Sequence, residues 1–342
     1  AQALQQTLGS LGRDVQADLL AVAAVDPNDP PPQPPRRTTW AMADLLAANF
    51  PAPVWLVPDI LQQAGLAILA GRPKMGKSFL ALQLAIAIGS GGHFLGHVLP
   101  QRHVVYLALE DSPRRLQERC RTLGATSTTD VAFETAWRPL NGDGLVDLEQ
   151  RIKDARPGLV VVDTLARACS GRLDWNDTAA TVGALAPLQE MALQHDTCIL
   201  LIDHHRKPNG ANPDAIDDVL GSTGKVGTID TALGLYRKRG ERDCTLRVTG
   251  RDVPDAELAL QWDPLTCLWQ MVGNAQQVRS ASIQQAILDA IRDLGGEATV
   301  SELAAFLGKD KGNISREISE LLAKRAIRPL PPQGRRQPYT LA

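Results

Sequence analysis

The eight residues GRPKMGKS, Gly71 to Ser78, restrict what this chain can fold into more than any other segment. Its two glycines, Gly71 and Gly76, let a backbone curl around an anion with its amides inward, where side chains would block the approach. A lysine followed by a hydroxyl residue, Lys77 and Ser78, completes the Walker A pattern of a phosphate loop. The segment before it, GLAILA, reads as a buried strand and the segment after it, FLALQLAIAIG, as a helix. Strand, glycine loop and helix are the context this motif needs, so a chance lysine in a glycine turn is rejected. Gly71, Arg72, Pro73, Lys74, Met75, Gly76, Lys77, Ser78 and Phe79 are expected to cradle a nucleotide. Lys77 should reach its β and γ phosphates and Ser78 should hold Mg2+, with the positive end of the helix facing the anion.

At 342 residues the chain has room for one large domain and a smaller one. A hydrophobic share of 44% and a charged share of 22% suit a packed core and argue against wholesale disorder. The formal net charge of -2 gives no global case for a polyanion partner. Five cysteines without a CxxC pair or a nearby histidine cluster argue against a zinc knuckle or a disulfide framework. No apolar run long enough to span a membrane and no signal-like N-terminus is seen, so a cytoplasmic location is expected.

Residues 3 to 25 carry leucines and valines at helical spacing and are expected to form an amphipathic helix. The run DPNDPPPQPPRR, within residues 26 to 37, reads as a semi-rigid linker, because proline lacks an amide donor and fixes its own φ. From 38 to 273 apolar strands alternate with helices, as a mostly parallel α/β sheet requires. Strands are expected at residues 65–70, 103–109, 159–163, 197–203, 231–236 and 244–249. Several are apolar at nearly every position, the mark of strands covered on both faces.

Three strand ends carry further chemistry. LVVVDTLAR ends its strand at Asp163, a carboxylate suited to hold Mg2+ beside Ser78. HVVYLALED places Glu110 and Asp111 at another tip. Glu110 reads as the base that orients water, or else as part of a helix-capping pair in which Asp111 is the cap. CILLID runs into His204 and His205, which either contact the γ phosphate or cap a turn.

The order GRPKMGKS, YLALED, VVVDTLAR, LLIDHH, GSTGKVGTIDTALGLYRKRG resembles that of RecA-like P-loop ATPases, and within them plasmid RepA-type and phage hexameric replicative helicases. The resemblance covers residues 38 to 272. It implies an ATP- and Mg2+-dependent ring, usually a homohexamer, with Glu110 as catalytic base, Asp163 as the Walker B carboxylate and His204 or His205 as the γ-phosphate sensor. It further implies an arginine finger donated to the neighbouring subunit, which Arg237 matches, and a loop that meets single-stranded DNA, with Arg206, Lys207, Asn209 and Lys225 as contacts or as plain surface residues. A helicase or translocase serving a plasmid, phage or mobile element is the expected activity. A recombination or repair ATPase, and a nucleotide-switched DNA-binding regulator, are the alternatives.

Composition changes after Gln276. Residues 277 to 342 are expected to form a winged helix-turn-helix: a helix over 282–294, a second helix, a turn at Gly308 to Gly312, a third helix starting near Asn313 and a Pro/Gly hairpin. Basic residues dominate from Lys309 onward. Asn313 and Arg316 near the start of the third helix, with Arg335 and Arg336 at the wing, are the expected DNA contacts. Docking to protein is the other use of such a module.

Overall fold

Continuous apolar runs become strands that are buried on both faces. In the computed structural model, residues 39–50, 52–169, 171, 173–175, 177–204, 223–237, 241–332, 334 and 336–342 are described. The expected N-terminal helix and proline linker, together with His205, Arg206, Lys207, Asn209 and Arg335, lie outside these residues. Contacts divide the chain into one unit up to Ala52 and another from Pro53 to Ala342. In the first, a short helix spans Met42–Ala47 and the rings of Trp40 and Phe50 meet at 5.6 Å.

The second unit is built on a nine-stranded sheet. Its strands in chain order are β1 (Gly65–Gly71), β2 (Val104–Ala108), β3 (Val131–Glu134), β4 (Leu159–Asp163), β5 (Cys198–His204), β6 (Thr231–Arg237), β7 (Asp243–Gly250), β8 (Ala256–Asp263) and β9 (Leu268–Asn274). The spatial order is β9-β8-β7-β6-β1-β5-β4-β2-β3. Strands from β6 across to β3 run parallel, whereas β6 to β9 form an antiparallel meander. One strand, β5, therefore separates the strand that feeds the glycine loop from the strand that ends at Asp163.

Every residue of β1, β2 and β4 is buried. Alternate side chains supply two cores. Ala67 and Leu69 face one core and Leu66, Ile68 and Ala70 the other, which explains why these strands read as unbroken apolar runs. On the first face lies α1 (Lys77–Ser90), whose Leu80, Leu82, Leu84 and Ile88 are buried along with its alanines. A helix apolar on all sides is buried on all sides. On the other face pack α3 (Asp143–Ala155) and α4 (Thr178–Gln194), with Leu148, Ile152, Leu185 and Leu188 buried. In the chain, α2 (Pro113–Thr122) follows β2, and α5 (Thr223–Thr228) precedes β6. No helix among the described residues is long and apolar enough to cross a membrane.

The C-terminal residues form a third core of Ile287, Ile291, Leu303, Ile314, Ile318, Leu321 and Ile327. It is enclosed by α6 (Ala275–Asp293), α7 (Val300–Leu307), α8 (Lys311–Ala323) and a three-stranded sheet of β10 (Glu297–Thr299), β11 (Ile327–Pro329) and β12 (Pro338–Leu341), in the order β10-β12-β11. Two expected helix starts are corrected. The first begins at Ala275 and not Ser282, because Asn274 caps it: its side chain accepts from the amides of Gln276 and Gln277 at 2.9 and 3.2 Å. The last begins at Lys311, because Asp310 caps it in the same way.

The early start has a mechanical consequence, since α6 is one continuous helix shared by the sheet and the C-terminal core. At its N-terminal end Arg279 donates to Glu257 of β8 at 2.5 Å, and Glu257 also pairs with Arg247 of β7 at 2.9 Å. Further along, Gln284 and Ser280 hold the buried Glu317 of α8 at 2.8 and 2.6 Å. The expected boundary near residues 273–277 thus falls inside the unit Pro53–Ala342. Asn274→Ala is expected to cost about 1 kcal/mol of stability through loss of this cap, read from the midpoint of denaturant unfolding followed by circular dichroism.

Candidate functional site

The loop between β1 and α1 is shaped by backbone conformations that the sequence supplies. Gly76 precedes α1 with φ +96°, a left-handed conformation that favours glycine. A Cβ there would lie 2.9 Å from the Trp269 ring, so size and conformation both exclude a side chain. The Trp269 indole N–H donates to the Gly76 carbonyl at 3.2 Å. Gln83 of α1 binds the Trp269 backbone twice, at 2.9 Å each way. Sequence reading did not find Trp269. A tryptophan 193 residues along the chain gives no local signal that it will stand against a glycine.

Lys77 is 5% exposed. Its ammonium donates to the carbonyls of Gly71 at 2.8 Å and Arg72 at 3.1 Å and meets His204 Nδ1 at 3.2 Å. Burial pulls its pKa below the ordinary lysine value, while Asp163, Asp203 and Glu110 oppose that shift. Register explains the meeting with His204, because β5 pairs with β1 so that Gly71 lies beside His204 and Ala70 beside Asp203. His204 is thus placed at the loop, while His205 lies outside the described residues.

Asp163 closes β4 at 4% exposure. Burial pushes its pKa up from the usual carboxylate value; hydrogen bonds from Tyr106 and Ser78 oppose the shift, and the charges of Glu110 and Asp111 add to it. The Tyr106 hydroxyl donates to Oδ2 at 2.9 Å, while Oδ1 is buried without a hydrogen-bond partner. A hydroxyl beside a carboxylate with an oxygen left over is a donor set of hard oxygens, which fits Mg2+. Glu110 is exposed in the turn after β2 and accepts from the Thr164 hydroxyl at 2.8 Å, so it stands next to the Asp163 strand end. Asp111 does not cap α2. That role falls to Ser112, whose side chain accepts from the Arg115 amide, while Asp111 pairs with Arg115 and Arg119.

The remaining expected residues are distributed. Arg237 ends β6, the neighbour of β1, with its guanidinium over the rings of Trp269 at 5.4 Å and Trp262 at 5.9 Å. Phe79 meets Trp262 edge-on at 5.3 Å, and the Arg119 guanidinium lies over its ring at 4.9 Å. Arg72, Pro73 and Lys74 are exposed on the loop, and Met75 is buried beneath it. Arg72 and Arg237 share the wall of a cavity of about 830 Å3 with Lys309 from the turn before α8. In that module Asn313 is half-buried, whereas Arg316 and Arg336 are exposed. Lys225 departs from the expectation of a surface cation. It is 7% exposed, with its ammonium 2.5 Å from Asp203 Oδ2 and 5.0 Å above the Trp175 ring.

The raised pKa of Asp163 carries a sign that can be checked. A carboxyl whose folded pKa exceeds its unfolded value destabilises the fold above the folded pKa, and that cost disappears below the unfolded one. Nucleotide-free Asp163→Asn is therefore expected to melt no lower than wild type at pH 7. The advantage of the variant should shrink as pH falls toward 4, in melting curves recorded without metal. A wild type that melts higher at neutral pH would show that the carboxylate stabilises the fold.

Comparison with known proteins identifies a family. A family model described as AAA domain matches residues 30–210, more than half of the chain. No curated protein matches the chain. Among solved structures, a DnaB-like replicative helicase described together with its interactions with primase is similar at 15% identity and a TM-score of 0.49, over 61% of this chain. The chain covers 57% of that helicase. The RadB recombinase is similar at 19% identity and a TM-score of 0.44, over 64% of this chain and 92% of its own. With its glycine loop, buried lysine and strand-end carboxylate set on a mostly parallel sheet, the chain belongs to the AAA domain family.

Proposed function

We propose that the protein is an ATP-dependent DNA helicase or translocase, acting as a ring-shaped homo-oligomer, a hexamer, in replication of a plasmid, phage or mobile element. The observation that carries this reading is the gathering of Lys77, Ser78, Asp163, Glu110 and His204 at the ends of adjoining parallel strands, with Arg237 on the next strand tip. Lys77 would hold the β and γ phosphates, and Ser78 with Asp163 would hold Mg2+. When bound, that ion neutralises charge on the phosphate oxygens. Glu110, exposed and fixed by Thr164, would orient the attacking water, and His204 would sense the γ phosphate in exchange for its present contact with Lys77.

Arg237 is assigned to the neighbouring subunit's phosphates. A cation brought in from a second copy stabilises charge that develops in the transition state and ties hydrolysis to assembly. The C-terminal helices and small sheet are read as a winged helix in which Asn313 and Arg316 approach DNA and Arg336 contacts its backbone. Exposure of Arg316 and Arg336 supports that use.

ATPase rate against protein concentration, with and without single-stranded DNA, tests the whole reading. The wild-type rate should rise with both, Lys77→Ala should be inactive, and Arg237→Ala should lose about 1,000-fold or more and poison the wild type when mixed with it. A rate indifferent to DNA, to concentration and to Arg237→Ala would sink the ring motor and leave a nucleotide-switched DNA-binding regulator. Long filaments on single-stranded DNA in electron micrographs would favour a recombinase instead.

A further inference from the structure

Two lysines and one aspartate share the end of β5. Asp203 lies beside Ala70 in the sheet, one residue before the Gly71 carbonyl that holds Lys77. Its charge acts on Lys77 more strongly than that of any other group except Asp163. Yet Asp203 is not spent on Lys77. Its Oδ1 accepts from the His204 amide at 2.8 Å and its Oδ2 from Lys225 at 2.5 Å. Lys225 in turn is seated on the Trp175 ring, and the Trp175 carbonyl accepts from the fully buried Thr181 hydroxyl at 3.2 Å. Trp175, Lys225, Asp203, His204 and Lys77 are therefore consecutive contacts, with both lysines buried, Trp175 and Asp203 half-buried and His204 exposed.

We propose that Lys225 is a positioning residue for nucleotide binding: it occupies Asp203, so that this carboxylate neither pairs with Lys77 nor competes with phosphate for it. A partly buried carboxylate that loses its cation seeks another, and Lys77 is the next one along the strand end. Lys225 thus acts on ATP and not on DNA, although its place in the sequence resembles that of a DNA-loop residue. The proposal rests on Lys77 being the phosphate-binding lysine.

The test is binding of a fluorescent ATP analogue with Mg2+ to the full chain in the absence of DNA. Lys225→Met should raise its Kd about tenfold, the size of coupling expected between charges in direct contact. Adding Asp203→Asn should bring most of that affinity back, because the competing charge is gone, and Lys225→Arg should stay near wild type. Recovery in the double variant cannot come from a misfolded protein. Wild-type affinity in Lys225→Met overturns the proposal, and so does a loss that Asp203→Asn fails to repair. If Lys225→Met instead leaves nucleotide binding intact and lowers the salt dependence of single-stranded DNA affinity, the residue contacts DNA. Failure of the wild type itself to bind the analogue would overturn the phosphate-site reading and this proposal together.

Discussion

The buried ammonium of Lys77 is the constraint around which the rest of the unit is arranged. A charge removed from water must be met by fixed dipoles or opposite charge. Here the carbonyls of Gly71 and Arg72 and the ring of His204 meet it directly, and Asp163, Asp203 and Glu110 surround it with negative potential. All of these partners sit at or just beyond strand ends on one edge of the parallel sheet. Lys77 can be held in this way only if β1, β5 and β4 run side by side in this order. The strand order is thus a condition of the site as much as a description of the fold.

A second layer fixes the loop from outside. Trp269 belongs to the last strand of the antiparallel meander, yet its indole meets the Gly76 carbonyl and its backbone is locked to Gln83 of α1. The same indole, with Trp262, lies under the Arg237 guanidinium. Aromatic faces attract cations most when water is kept away. The meander therefore does more than widen the sheet, since it supplies the wall that shapes the phosphate loop and the seat for the cation on β6. Because Asn274 ends β9 and caps α6, the C-terminal module is joined to that wall without an intervening loop.

Much of this was legible in the chain. Strands β1, β2, β4, β5 and β6 were placed to within a residue or so, because strands covered on both faces must be apolar throughout and announce themselves by composition. The glycine loop was legible because its backbone demands particular residues at particular positions. Harder to see were β3, a half-buried four-residue edge strand, and β8 and β9, whose partial burial leaves a mixed pattern. The start of α6 was missed because the apolar pattern of its C-terminal half outweighed the capping signal at Asn274.

Sequence alone determined that a glycine loop follows β1, that Asp163 and Glu110 lie at or just past strand ends and that basic residues gather from Lys309 onward. Each of these depends on residues adjacent in sequence, whose periodicity and backbone preferences are local. Only the tertiary structure decided that Trp269 walls the loop, that Asp111 pairs with arginines and leaves the cap to Ser112, and that Lys225 is buried against Asp203 and Trp175. Those outcomes depend on which distant side chain arrives first at a charge or a carbonyl that must be satisfied, and sheet order, set by long-range pairing, decides that.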